Sequence, residues 1–103
     1  MDQAVIVHLQ LGKKHQHAGG MEGLWNLEDQ ISGAIEQEGI GEFDGHEVGQ
    51  GEFVMYTYGP SADRLFGAIA PILKASRYAL GGYAIKRYGE AQDSDATEVR
   101  VTW

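Results

Sequence analysis

Residues 40–58 alternate apolar and polar side chains and carry glycine at positions 41, 45, 49 and 51. Alternation of period two is a strand signal, and glycines spaced through it mark turns and bulges, so the segment predicts a twisted β-hairpin. Helical spacing flanks it on both sides. Before it, apolar residues fall at 24, 27, 31, 34 and 35, with Glu28, Asp29, Ser32, Glu36 and Gln37 on the other side and Gly39 as the stop. After it, Pro60-Ser61 opens a second helix, with Ser61 as N-cap and Asp63 in the first turn, where the helix dipole favours an acid. Leu65, Phe66, Ile69, Ile72 and Leu73 form its apolar stripe. Pro71 lies inside that stripe and predicts a kink, or a closure and restart, near Ala70.

The rest of the chain supplies three more strands. Residues 4–11 are β-branched and then alternate, which suits a central strand, and residues 83–88 and 98–103 read as two further strands. Residues 12–23, with Lys13-Lys14-His15-Gln16-His17, read as a loop, as do 90–95. The order β-α-β-β-α-β-β predicts an α+β, ferredoxin-like sandwich: an antiparallel sheet with two helices on one face, in a single domain over residues 1–103. The 103 residues are 43% apolar with ten aromatics, enough to fill such a core. With no cysteine there is no disulfide, thiolate metal site, Fe–S cluster or cysteine nucleophile, and a reducing, cytoplasmic location is expected. No apolar run approaches the roughly 18 residues of a membrane span. The acidic start Met1-Asp2-Gln3 does not read as a signal peptide.

Strand register decides which side chains are exposed together. A three-residue loop would pair 47 with 51, and so 46 with 52 and 44 with 54. Phe43, Gly45, Phe53 and Met55 then share one face, and Glu42, Asp44, His46, Glu52, Val54 and Tyr56 the other. A two-residue turn would split Phe43 from Phe53, so the three-residue loop is expected. Val5, Val7, Leu9, Leu11, Phe43, Phe53, Met55, Ile85, Val99 and Val101 are expected to face the helices. The open face would show His8, Gln10, Glu42, Asp44, His46, Glu52, Tyr56, Tyr58, Lys86, Tyr88 and Arg100.

Charge is distributed unevenly along the chain. The formal net charge is -7. Between Lys14 and Arg64 there are ten carboxylates and no lysine or arginine, whereas residues 64–103 hold six basic residues against four acidic ones. A basic partner would be steered to the acidic stretch and a phosphate backbone repelled, so no nucleic-acid partner is expected, although outward Tyr56, Tyr58 and Tyr88 resemble the stacking face of an RNA-recognition module. In the expected register Glu42, Asp44, His46 and Glu52 lie roughly 5 to 7 Å apart, a spacing that could hold a divalent cation or raise one carboxyl's pKa to make a general acid. No motif sets a ligand count, and an acidic recognition face is the preferred reading, so no metal, cofactor or catalytic residue is assigned. His15 and His17 read as loop residues, and His8 as a half-exposed sheet residue bonded to a neighbour. Neither Gly-x-Gly-x-x-Gly nor Gly-Lys-Ser/Thr is present, so neither standard nucleotide loop is supported.

The segment Gly41-Glu42-Phe43-Asp44-Gly45-His46-Glu47-Val48-Gly49-Gln50-Gly51-Glu52, followed by Tyr58-Gly59-Pro60-Ser61-Ala62-Asp63 and Arg87-Tyr88-Gly89, resembles uncharacterised small bacterial proteins with a Gly-Glu-Phe-Asp-Gly hairpin and a Tyr-Gly-Pro-x-Ala-Asp helix start. The likeness covers residues 35–90 and implies a fold, not an activity. The leading functional expectation is a non-enzymatic protein-binding domain, most concretely an immunity-type inhibitor of a basic toxin such as a nuclease. Glu42, Asp44, His46, Glu47, Glu52, Tyr56 and Tyr58 would form its partner-binding face, carboxylates pairing with lysines and arginines and tyrosines acting as anchors. The alternative is a homodimeric α+β barrel that binds or transforms a small molecule between two sheets, lined by His8, His46, Tyr56 and Tyr88. A third reading is an accessory subunit of a larger complex. Trp103 is expected to be buried as a staple for the last strand rather than exposed as an anchor.

Overall fold

A computed structural model describes residues 2–11 and 22–103. Five strands, β1 (Gln3–Gln10), β2 (Glu42–Gly49), β3 (Glu52–Gly59), β4 (Tyr83–Arg87) and β5 (Glu98–Val101), form one antiparallel sheet in the order β2-β3-β1-β4-β5. Helices α1 (Glu22–Glu38) and α2 (Ala62–Lys74) pack on one face. This is the expected ferredoxin-like α+β sandwich, with β5 added outside β4. Lys13, Lys14, His15 and His17 of the predicted loop lie outside the described residues, while Glu22 and Gly23 already belong to α1.

The core sits between the helices and one face of the sheet. Val5, Val7 and Leu9 of β1 and Phe53 and Met55 of β3 are fully buried there against Leu24, Leu27, Ile31 and Ile35 of α1 and Leu65, Ile69 and Leu73 of α2. Each such side chain contributes about 1.5–3 kcal/mol on burial, so this layer carries most of the driving force. The chain leaves α1 at Gly39, where the Gly39 N–H donates to the Glu36 carbonyl (3.1 Å) and the Ile40 N–H to the Ile35 carbonyl (3.3 Å). That pair of bonds satisfies two orphan carbonyls and brings buried Ile40 back toward Ile35. Helix α2 starts as expected: the Ser61 hydroxyl accepts from the Arg64 N–H at 3.2 Å, and Asp63 stands in the first turn. It runs as one helix through Pro71 rather than closing and restarting. The proline lies in the last turn on an exposed side, and Gly67, whose carbonyl loses its partner four residues earlier, is itself exposed.

The hairpin corrects the expected register. Gly49 pairs with Glu52, Val48 with Phe53, Glu47 with Val54 and His46 with Met55, so the turn has two residues, Gln50 and Gly51, not three. Both have positive φ, 52° and 78°, the backbone of a tight hairpin turn, and glycine adopts it at the second position without steric cost. This register alone would have put Phe43 and Phe53 on opposite faces. A β-bulge between Phe43 and His46, containing Gly45 at φ 103°, inserts one extra residue, after which Phe43 pairs with Thr57 and Glu42 with Tyr58. Phe43 therefore still packs on the core. His46 moves to the helix side and Glu47 to the open side.

A second correction concerns β4. Ile6 pairs with Ile85, and Val5 with Lys86. Ile85 thus shares the open face with Ile6, while Ala84 and Lys86 lie on the helix side and Tyr88 packs against the core. Val99 and Val101 keep their expected side, although Val99 remains 40% exposed at the edge. Trp103 is half-buried against the core, and its indole N–H donates to the Ala79 carbonyl at 3.1 Å, so it staples the chain end as expected. That carbonyl belongs to a short 3-10 turn, Arg77–Ala79, which the sequence pattern does not announce.

Candidate functional site

Cross-strand partners share a face, so the register identifies the open side. Ala4, Ile6, His8 and Gln10 of β1 run down its middle. Tyr58, Tyr56, Val54 and Glu52 of β3 lie beside them on one flank, with Glu42 and Glu47 of β2 further out. Arg87, Ile85 and Tyr83 of β4 lie on the other flank, with Glu98 and Arg100 of β5 beyond. Ile6, Val54, Ile85 and the three tyrosines are only half-buried.

Two chains of contacts cross this face. In the first, the Arg100 guanidinium carbon stands 3.7 Å from the Tyr83 ring centroid, and the His8 ring stacks on Tyr83 with centroids 4.7 Å apart and planes 6° from parallel. The His8 Nδ1 lies 3.4 Å from the Glu52 Oε1, and the Gln10 side-chain amide donates to the Glu52 Oε2 at 3.2 Å. In the second, Arg87 is only 8% exposed. Its Nε donates to the Gly89 carbonyl at 2.7 Å, and its guanidinium reaches across small Ala4 to within 5.9 Å of the Tyr58 ring centroid. No carboxylate forms an ion pair with Arg87 among the described residues. Between the two chains, burial and then the adjacent Glu47 carboxylate push the Tyr56 phenol above its ordinary pKa.

Of the predicted partner-binding residues, Glu42, Glu47, Glu52, Tyr56 and Tyr58 lie on this face, and Asp44 is exposed within the bulge. His46 does not belong to it. Its ring stacks on Phe53 (4.8 Å, 24°) and hydrogen-bonds Glu28 of α1, because the two-residue turn places it above the core. The four-residue cluster expected from the sequence is therefore split. Among the described residues no group of three or more His, Asp or Glu side chains is arranged to hold a metal ion. Lys86 and Tyr88 are likewise on the helix side. The Lys86 Nζ donates to the Asp63 Oδ1 at 2.9 Å, and the Tyr88 hydroxyl donates to the same oxygen at 2.6 Å. The Tyr88 hydroxyl, then Lys86, hold the Asp63 carboxyl below its ordinary pKa, and Asp63, then Tyr88, hold the Lys86 ammonium above its own.

The site residues missed by sequence reasoning are Ile6, Tyr83, Ile85 and Arg87, whereas Val54 lies on the open face as expected. Alternation in residues 83–88 offers apolar side chains in both phases, so only pairing with β1 sets which phase faces out. A cleft of about 440 Å³ lies elsewhere, between the start of α1 and the end of α2, lined by Asn26, Gln30, Ile72, Arg77 and Tyr78 among others. It contains none of the predicted residues. Among the described residues no helix is long and apolar enough to cross a membrane. No protein-family model, curated protein or solved structure matches the chain.

Proposed function

We propose that this chain is a non-enzymatic protein-binding domain that meets a basic surface with the β2–β3 half of its open sheet face. The observation that carries this reading is the row Val54, Tyr56 and Tyr58 along β3, flanked by Glu42, Glu47 and Glu52, on a face that neither helix covers. Half-buried tyrosines supply contact area at low entropic cost, and flanking carboxylates add on-rate and selectivity for lysine and arginine. The finer form of the reading is a cytoplasmic immunity-type inhibitor, with the hairpin that resembles those of small bacterial proteins serving as its acidic arm. The test is retention of basic proteins from cell lysate by the immobilised chain, compared with Glu42→Gln/Glu47→Gln and Tyr56→Ala variants. A protein held at low salt, loosened at high salt and lost in both variants supports the reading. Equal retention by all three chains sinks it, as does the absence of any partner on this face, whether a basic protein or a second copy of the chain.

A second reading, a small-molecule site between two such faces, is favoured by Ile85 and Ile6 making the face more apolar. It is weakened because His46 and Tyr88, two of its four expected lining residues, lie on the helix side.

A further inference from the structure

We infer that the basic surface met by this face is the β4–β5 half of a second copy of the chain, the two sheets packing face to face about a two-fold axis that runs along β1. This rests on the binding reading above and names its partner. The open face is divided by charge. Its carboxylates Glu42, Glu47 and Glu52 stand on β2 and β3, whereas its two arginines, Arg87 and Arg100, stand on β4 and β5, with β1 as the middle strand between them. Glu98, at the outer edge of β5, is the one acid on the basic side.

A closed face-to-face pair of identical subunits needs a two-fold axis lying in the interface, either across the strands or along them. An axis across the strands lays β2 on β2 and β5 on β5, so like charges meet. An axis along β1 lays β2 and β3 over the partner's β5 and β4. At matching levels Tyr58 then faces Arg87, Tyr56 faces Ile85, Val54 faces Tyr83, and Ile6 meets its own copy on the axis; Arg100, whose guanidinium leans over Tyr83, comes nearest Glu47, while Glu42 falls opposite Glu98. Only the second arrangement lays the acidic half over the half that carries both arginines around an apolar centre, with Glu42 opposite Glu98 as its one like-charged contact. Arg87 gives independent support. Arg87 is 8% exposed, held by one carbonyl and a tyrosine ring, and has no carboxylate ion pair among the described residues, so its charge can take a partner from a second copy. The second copy lays Tyr58 over it, with Glu42 one strand further out at the same level.

The pairing is tested by a charge swap at two exposed positions, Glu47→Arg and Arg100→Glu. Sedimentation velocity over a dilution series is expected to show a dimer for the natural chain. Each variant alone meets like charge at both symmetry-related contacts, and its dissociation constant should rise about tenfold or more. An equimolar mixture restores both contacts and should dimerise again. Glu47→Arg brings the chain's formal net charge of -7 closer to zero, so general self-repulsion would predict the opposite of the expected weakening. Unchanged thermal melting of each variant at a concentration where it is monomeric shows that it folds. A natural chain that is monomeric at every concentration, variants that dimerise as it does, or a mixture that stays monomeric would overturn the inference. In any of these cases, retention of a basic protein that Tyr56→Ala abolishes leaves the binding reading standing without the dimer.

Discussion

On β3, Phe53, Met55 and Thr57 are fully buried beneath the helices, while Glu52, Val54, Tyr56 and Tyr58, which alternate with them, are half-covered on the other face. One strand thus serves two purposes. The helix side is filled by close-packed aliphatic and aromatic side chains, and even its polar members are tied down, as Thr57 is by a 2.7 Å bond to the Val5 carbonyl. The open side keeps comparable aromatic bulk but surrounds it with charges that pair only in part. The contrast teaches that stability here comes from one face, leaving the other free for recognition.

The sharpest way to break that contrast is to truncate both faces of β3. Phe53→Ala should cost about 3–5 kcal/mol in denaturant unfolding, since a fully buried ring leaves a cavity. Tyr56→Ala should cost about 1 kcal/mol or less at a protein concentration where the chain is monomeric. Equal losses would mean that the open face is part of the core. A Tyr56→Ala deficit that grows with protein concentration would instead sharpen the contrast, by showing the face covered only on self-association.

An intermediate effect is expected at the hairpin turn, which assigns its residues to the two faces. Gly51→Ala forces a side chain onto a backbone with φ 78° and should cost about 1–2 kcal/mol by the same measurement. No loss would show that the turn relaxes into another form, and the register would have to be reconsidered.

The smallest effect concerns the exposed polar cluster on the helix side. Asp63 has a folded-state pKa below its unfolded value of 3.8, so its contribution is full above that value and disappears as pH falls below it. Lys86 is raised above 10.5, so its contribution is full below that value and is lost as pH rises past it. Asp63→Asn should therefore lower the melting temperature slightly at neutral pH, and the difference from the natural chain should vanish in acid below the carboxylate range. A difference that persists there would assign the effect to something other than the carboxylate's charge, since its pairing with Lys86 and its interaction with the helix dipole both need the ionised form.

Much of this architecture was legible in the sequence. Helical spacing gave both helices, Ser61 and Gly39 marked their boundaries, and alternation in residues 4–11 identified the central strand and its buried side. The candidate face was legible only in part. Glu42, Tyr56 and Tyr58 came out on the open side because the turn shifts the pairing by three residues and the Gly45 bulge by one, and beyond the bulge the two odd shifts compensate in facing. Between bulge and turn they do not, which moved His46 onto Phe53 and Glu47 outward. In β4, the sequence Tyr83-Ala84-Ile85-Lys86-Arg87 has no clean alternation, and a lysine on the helix side contradicts the usual pattern. There Lys86 runs its stem beneath α2, its ammonium 5.5 Å from the Phe66 ring centroid and bonded to Asp63, so a charged residue is accommodated where alternation calls for an apolar one.

Local chemistry by itself determined the order of the elements, the ends of the helices and the core stripe of β1, because spacing, caps and β-branching act over a few neighbouring residues. Only the tertiary structure decided which side chains share the open face. Facing reverses with every single-residue shift in pairing, and pairing is settled by the fit of distant strands beneath the helices: Phe43 against the core, Ala84 under it, and Ile85 opposite Ile6 on the side left open.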